Sequence, residues 1–186
     1  GLLLGLGFGL LVYRIFRSSP RTLVDGFFRK GQLVSAAMYS LGHGGNDAQK
    51  TMGIITLSLL ISGSIDQFAV PIWVVTLSAA AIALGTALGG WRLIRTLGGK
   101  FYKIRPIHGF STQLTSSFVI MGASFLGLPV STSQVVSAAI IGVGSSERLG
   151  KVRWSVAEEI VTAWFITIPA SALIAAVVYW ILAFFK

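Results

Sequence analysis

Long apolar stretches alternate with short basic clusters along the whole chain. Apolar residues dominate 1–13, 31–63, 71–90, 109–127, 128–144 and 154–184, while Lys and Arg gather within 14–30, 92–105 and 148–153. A hydrocarbon core about 30 Å thick is crossed by roughly 20 mainly apolar helical residues, and several of the runs reach that length. The pattern predicts an all-α membrane protein.

The positive-inside bias places all three basic clusters on the cytoplasmic side, so the chain between them must return to the side it left. An out-and-back pair, 31–63 and 71–90, meets that demand, joined through Ser64, Asp66 and Gln67. The second member is rich in small residues, as closely packed membrane helices often are. Between the second and third clusters lie two shorter pieces, split at Gly127 and Pro129 and rich in Ser, Thr and Gln. At 1.5 Å per residue they reach only ~22 to 27 Å, which predicts a re-entrant helical hairpin over 107–145. Two short full spans satisfy the charge pattern equally.

The last stretch opens on Trp154, Glu158 and Glu159 and runs to Lys186. Pro169 predicts a kink within it, and Tyr179 with Trp180 suit an interfacial aromatic belt. At the other end, Arg14 and Arg17 follow the first apolar run, the reverse of a signal peptide's order. That run is expected to be a truncated transmembrane helix, and the 186 residues a single membrane repeat from a longer chain.

Composition supports the membrane reading and narrows the chemistry. Hydrophobic residues make up 54% of the chain and charged residues 11%, against about 25% charged in soluble domains; the mean hydropathy is +0.79. The absence of cysteine excludes disulfides, thiolate metal sites and cysteine nucleophiles. A net charge of +9 reflects topology rather than nucleic-acid binding, because the bases flank apolar runs instead of forming a stripe on a polar face.

One interruption does not fit simple membrane crossing. GHGGNDAQK, residues 42–50, lies inside the 31–63 run. Gly42, Gly44 and Gly45 are costly in a helix interior, which predicts two half-helices joined by unwound chain. Unwound backbone at membrane depth must line a cavity or be buried in protein, so a site is implied. Asn46 and Asp47 are preferred N-cap residues and are expected to open the second half-helix. Ser131, Thr132 and Ser133 open a helix after Pro129 in the same manner.

Helix N-termini and hydroxyls converging on one place form an anion pocket. Asp47 would repel an anion alone, so a cation, metal or proton is expected beside it. Lys50 stands at helical spacing from Asp47 and partly neutralises it. Gln113 faces either the site or the other hairpin arm. His43 is read as a structural hydrogen-bonding residue before a metal ligand, and His108 as an interfacial one.

Gly44, Asn46 and Asp47 match a Gly-x-Asn-Asp signature, and Pro129, Val130, Ser131 and Thr132 match a Pro-Val-Ser-Thr motif; with NDAQKTMGII, RPIHGF and RWSVAEEIVTAW, nearly the whole chain resembles inorganic phosphate transporters of the Pit type, in the C-terminal half of a bacterial member. The resemblance implies ion-coupled secondary transport of inorganic phosphate across the cytoplasmic membrane. It also implies two inverted repeats, each contributing a broken helix and a re-entrant hairpin, commonly in a homodimer; this chain would supply one repeat. Phosphate would be held by Ser131, Thr132, Ser133 and Asn46, and the coupling ion by Asp47, Asn46 and Gln113.

Two departures bear on the ion. Lys50 stands where the commonest signature has a further asparagine, and Ser133 and Gln134 stand where the hairpin motif often has Thr-His. Sodium, proton and metal-phosphate coupling therefore all stay open, and no cofactor is expected. Two competing readings are a small-solute channel without ion coupling, and an intramembrane hydrolase using Ser131, His108 and Asp47.

Overall fold

The computed structural model describes residues 1–99 and 104–184, apart from the side chains of 92–94, 96–99 and 151. The described residues form six α-helices: α1 Leu2–Phe16, α2 Arg21–Ile61, α3 Ile72–Gly99, α4 Pro106–Phe125, α5 Thr132–Glu147 and α6 Trp154–Phe184, with a 3-10 turn at Leu149–Lys151. They divide into two compact units, Gly1–Val152 and Arg153–Lys186. The second unit is α6 with its lead-in. It runs through Pro169 without interruption and, like Ile72–Trp91 of α3, is long and apolar enough to cross a membrane. Lys186 lies outside the described residues.

In the first unit, α4 lies parallel to α2 in a constant register. Arg105 pairs with Asp25 at 3.0 Å, Ser35 Oγ donates to Gln113 Oε1 at 2.7 Å and Asn46 Nδ2 donates to Ser124 Oγ at 3.1 Å. These pairs are separated by 80, 78 and 78 residues in sequence, so the two helices rise side by side without slipping. Near the start of α2, Val24 and Phe28 join Val12 of α1 in an apolar core to which Phe16 adds an edge-on and Phe110 a tilted ring contact.

α5 descends beside α1, again in parallel, and the seam is made of small residues. A Cβ added to Gly5 would stand 2.8 Å from the Ala139 carbonyl oxygen, one on Gly142 would collide with the Leu2 carbonyl, and one on Gly9 would collide with Ser146. Close backbone approach of this kind is how helices associate where no hydrophobic driving force separates them from lipid.

The hairpin's turn is fixed by local rules. α4 starts with Pro106 at its first position, where the missing N–H costs nothing, and His108 Nδ1 accepts from the Arg105 backbone N–H at 3.3 Å. It ends with Gly127 at φ +69°, the Leu128 N–H on the Ala123 carbonyl at 2.9 Å and the Gly127 N–H on the Ser124 carbonyl at 3.1 Å. That is a Schellman termination. Gly63, at φ +71°, ends α2 by the same pair of bonds, to Leu59 and Leu60.

One expectation is overturned. α2 is a single 41-residue helix from Arg21 to Ile61, with no unwinding at Gly42–Asp47. The glycines serve packing or cost little: Gly42 is buried against Ile120 and Met121 of α4, with room for a Cβ only 3.2 Å from Met121 Cγ, whereas Gly44 and Gly45 have open space. Three glycines cost only about 1 kcal/mol each, and Asn46, Asp47 and Lys50 find lateral partners on Ser124, Thr132 and Val130 of the hairpin instead. Asn46 and Asp47 are therefore interior residues, not N-caps.

Described members of the basic clusters meet at one end of the first unit. The α1–α2 junction, Arg105 at the start of α4 and Glu147–Arg148 at the end of α5 occupy one end of the unit, tied by Arg105–Asp25 and by His108 Nε2–Glu147 Oε2 at 3.2 Å. Because His108 Nδ1 accepts a backbone N–H, Nε2 carries the proton toward Glu147. Of the second cluster, the Arg92 side chain, Lys100 and Lys103 lie outside what is described.

Candidate functional site

The tip of the α4–α5 hairpin docks on the middle of α2 through a compact polar node. Asp47 Oδ2 accepts from Thr132 Oγ1 at 3.0 Å, and Asp47 Oδ1 meets Lys50 Nζ at 2.9 Å. Lys50 Nζ also donates to the Val130 carbonyl. One turn earlier, His43 Nδ1 lies 3.5 Å from Asp47 Oδ2 and its ring stacks on Tyr39 at 5.6 Å. The carboxylate thus has a cation on one oxygen and a hydroxyl donor on the other. Asp47 and Lys50 side chains are about one third exposed, at 31% and 34%, so this is a partly exposed pair rather than a sealed one.

Asn46 sits beside it, 2% exposed. Its amide nitrogen is used by Ser124, but its Oδ1 has no donor among the described residues. A buried acceptor left unpaired costs ~1–3 kcal/mol, and a bound cation or a protonated ligand would relieve it. Thr115 Oγ1 and Ser116 Oγ on α4 are likewise buried and unpaired.

A cavity of about 1030 Å³ opens between α2, α3, α4 and α5. Its polar lining comes from Gln32, Tyr39, Ser40 and His43 of α2, Thr86 of α3, Thr112, Gln113 and Ser116 of α4, and Ser133 of α5, and its apolar wall mainly from Ala79, Ile82, Ala83 and Ala87 of α3. Such a volume lies at the top of the usual range for small-molecule sites.

The structure therefore sorts the expected residues into two adjoining sets. Thr132, Asn46, Asp47 and Lys50 form the latch at the hairpin tip, whereas Gln113 and Ser133 line the cavity. Ser131 is exposed and lies 3.4 Å from Ser133, Oγ to Oγ; Ser131 is the N-cap of α5. Gln134 is exposed, engages none of these residues through a side-chain hydrogen bond and does not line the cavity. With the α2 break gone, the α5 N-terminus is, among the described residues, the one that offers free helix amides here, from Thr132 onward.

Tyr39, Ser40, Thr112 and Ser116 were not singled out in sequence. The signal for the last two was present, since Thr112, Thr115 and Ser116 recur at helical spacing, and the structure buries all three. His108 is bonded at the basic end of α4, and Ser131 lies past its far end, so the Ser131, His108 and Asp47 constellation of the hydrolase reading is not assembled. Among the described residues no group of three His, Cys, Asp or Glu side chains converges as a metal site.

Comparison with known proteins agrees with this arrangement. The chain is 49% identical over 180 residues to a probable low-affinity inorganic phosphate transporter of Rhizobium meliloti (strain 1021), covering 96% of this chain and 54% of that protein. It is 46% identical over 181 residues to the protein of the same description from Bacillus subtilis (strain 168), covering 95% and 54%. A solved structure described as the sodium-dependent phosphate transporter superposes with a TM-score of 0.79 at 27% identity, over 93% of this chain and 45% of that one. The chain spans about half the length of the curated relatives it matches. These relatives are transporters, not enzymes. Residues 6–175 match the profile of the phosphate transporter family, and the chain belongs to that family of membrane proteins.

Proposed function

We propose that this chain is one repeat of an ion-coupled transporter that carries inorganic phosphate across the cytoplasmic membrane. The observation that carries the reading is the hairpin tip latched to mid-α2 by Asp47, Lys50 and Thr132, beside a cavity lined with hydroxyls. Ser131 and Ser133 and the free amides at the start of α5 bind phosphate oxygens, as helix N-termini do, with Thr132 and Asn46 at the margin. Asp47, the unpaired Oδ1 of Asn46 and Gln113 supply oxygens for positive charge.

The hairpin reads as re-entrant. Its tip meets α2 at Asn46–Lys50, and α2 then continues to Ile61, about 16 Å further; both arms return to the end where the basic residues gather. That end is the cytoplasmic one by the positive-inside bias. The second, inverted repeat completes the site, in a homodimer, and the many exposed leucines of α1 and α2 face that repeat or lipid.

Uptake of labelled phosphate into proteoliposomes holding the complete transporter tests this. Accumulation above the equilibrium level under an imposed sodium or proton gradient is the expected result. Flux that only ever reaches equilibrium would overturn ion coupling and favour the channel reading.

A further inference from the structure

We infer that Lys50 is a built-in cation: its ammonium group fills, at this copy of the signature, the place in which an alkali cation would be held. The inference rests on the transporter reading above and refines it. Lys50 Nζ is held between Asp47 Oδ1, at 2.9 Å, and the main-chain carbonyl of Val130. A carboxylate oxygen and a backbone carbonyl in the non-helical connection between α4 and α5 are the hard oxygen donors that a small cation uses.

Connectivity strengthens the assignment. Lys50 and Asp47 belong to α2, and Val130 and Thr132 belong to the hairpin tip, so the positive charge bridges the two elements beside the direct Thr132–Asp47 bond. A coupling cation does the same task in a transporter, since its binding closes one element on another. Here the joining charge is covalently part of the chain and cannot leave. With one lysine and one aspartate the node is already neutral, and a sodium ion entering it would bring an uncompensated charge. Asp47 is thereby withdrawn from the coupling-ion oxygens, leaving Asn46 Oδ1 and Gln113, and the site's demand for external sodium falls by one ion.

The same geometry says how to restore the demand. Replacing Lys50 by a neutral oxygen-bearing side chain leaves Asp47 Oδ1, the Val130 carbonyl and the new amide oxygen around an open position. Lys50→Asn and Lys50→Gln should each create a sodium site, and Lys50→Arg should not.

The test uses the purified complete transporter, melted in sodium chloride and in choline chloride at equal ionic strength, beside phosphate uptake in the same two salts. Sodium is expected to raise the melting temperature of Lys50→Asn and Lys50→Gln by about 2–4 °C beyond its effect on the parent and on Lys50→Arg. Their phosphate uptake is expected to fall in choline and recover in sodium. An equal sodium response in all four proteins overturns the inference. So does failure of both neutral variants to fold even in high sodium, because the ammonium would then be a structural cross-link that no free ion replaces. If the parent moves no phosphate, the transporter reading fails while the melting comparison still decides this one.

Discussion

Asp47 Oδ2 accepts a hydrogen bond from Thr132 Oγ1 at 3.0 Å, across 85 residues of sequence. One residue comes from the interior of α2 and the other is the first residue of α5, so a single carboxylate fixes where the hairpin tip sits against the longest helix. Its second oxygen holds Lys50, which reaches on to Val130. The Gly-x-Asn-Asp and Pro-Val-Ser-Thr motifs are thus two halves of one contact.

The hydroxyls beside the latch are assigned to phosphate, and their removal should weaken substrate binding more than turnover. Ser131→Ala and Ser133→Ala each delete a hydrogen bond worth about 0.5–1.5 kcal/mol, so the KM for phosphate uptake should rise roughly two- to tenfold with maximal rate largely kept. Initial-rate uptake against phosphate concentration measures this. Unchanged KM in both variants would remove these serines from the site.

Asn46 and Ser124 pin the end of α4 to α2 through one bond of 3.1 Å. A double-mutant cycle of Asn46→Ala and Ser124→Ala, read by thermal unfolding of the purified transporter, should give a coupling of about 0.5–1.5 kcal/mol. Strict additivity would mean that the contact does not hold the hairpin.

The α1–α5 seam depends on missing side chains. Gly5→Leu drives a side chain at the Ala139 carbonyl, which a mere Cβ would approach to 2.8 Å, and overpacking of this kind costs about 1–3 kcal/mol. Gly7→Leu, where a Cβ meets nothing within 4 Å, should be tolerated. Melting temperatures of the two variants compare them, and a Gly7 variant as unstable as the Gly5 variant would contradict the seam.

Much of this was legible in the sequence because hydropathy and charge are additive along a chain. The helices and the hairpin with its turn at Gly127 follow from run lengths and breaks. The continuity of α2 was not legible. Glycine propensity and capping preference at Gly42–Asp47 are local signals, and here they are outweighed by lateral partners on α4 and α5, 78 to 85 residues away. Gln113 and Ser133, expected as an ion ligand and a phosphate ligand, both line the cavity, and Thr112 and Ser116 beside them went unnoticed. A polar residue in a membrane helix invites attention singly, while the shared face is visible only once α2 and α4 are set in register. Lys50 was correctly paired with Asp47 by spacing alone; its bond to Val130 needed the fold.

On the proposed function, Asp47, at the meeting of the two motifs, carries the site. The most direct measurement is labelled-phosphate uptake by Asp47→Asn beside the parent, in proteoliposomes of the complete transporter under sodium and proton gradients separately. Asparagine keeps the size and a hydrogen-bonding oxygen but removes the charge that Lys50 and Thr132 share, and interactions with a charged group are worth about 1.5–3 kcal/mol. Uptake in the variant should fall at least about tenfold under whichever gradient drives the parent; uptake equal to the parent's under both gradients would contradict it.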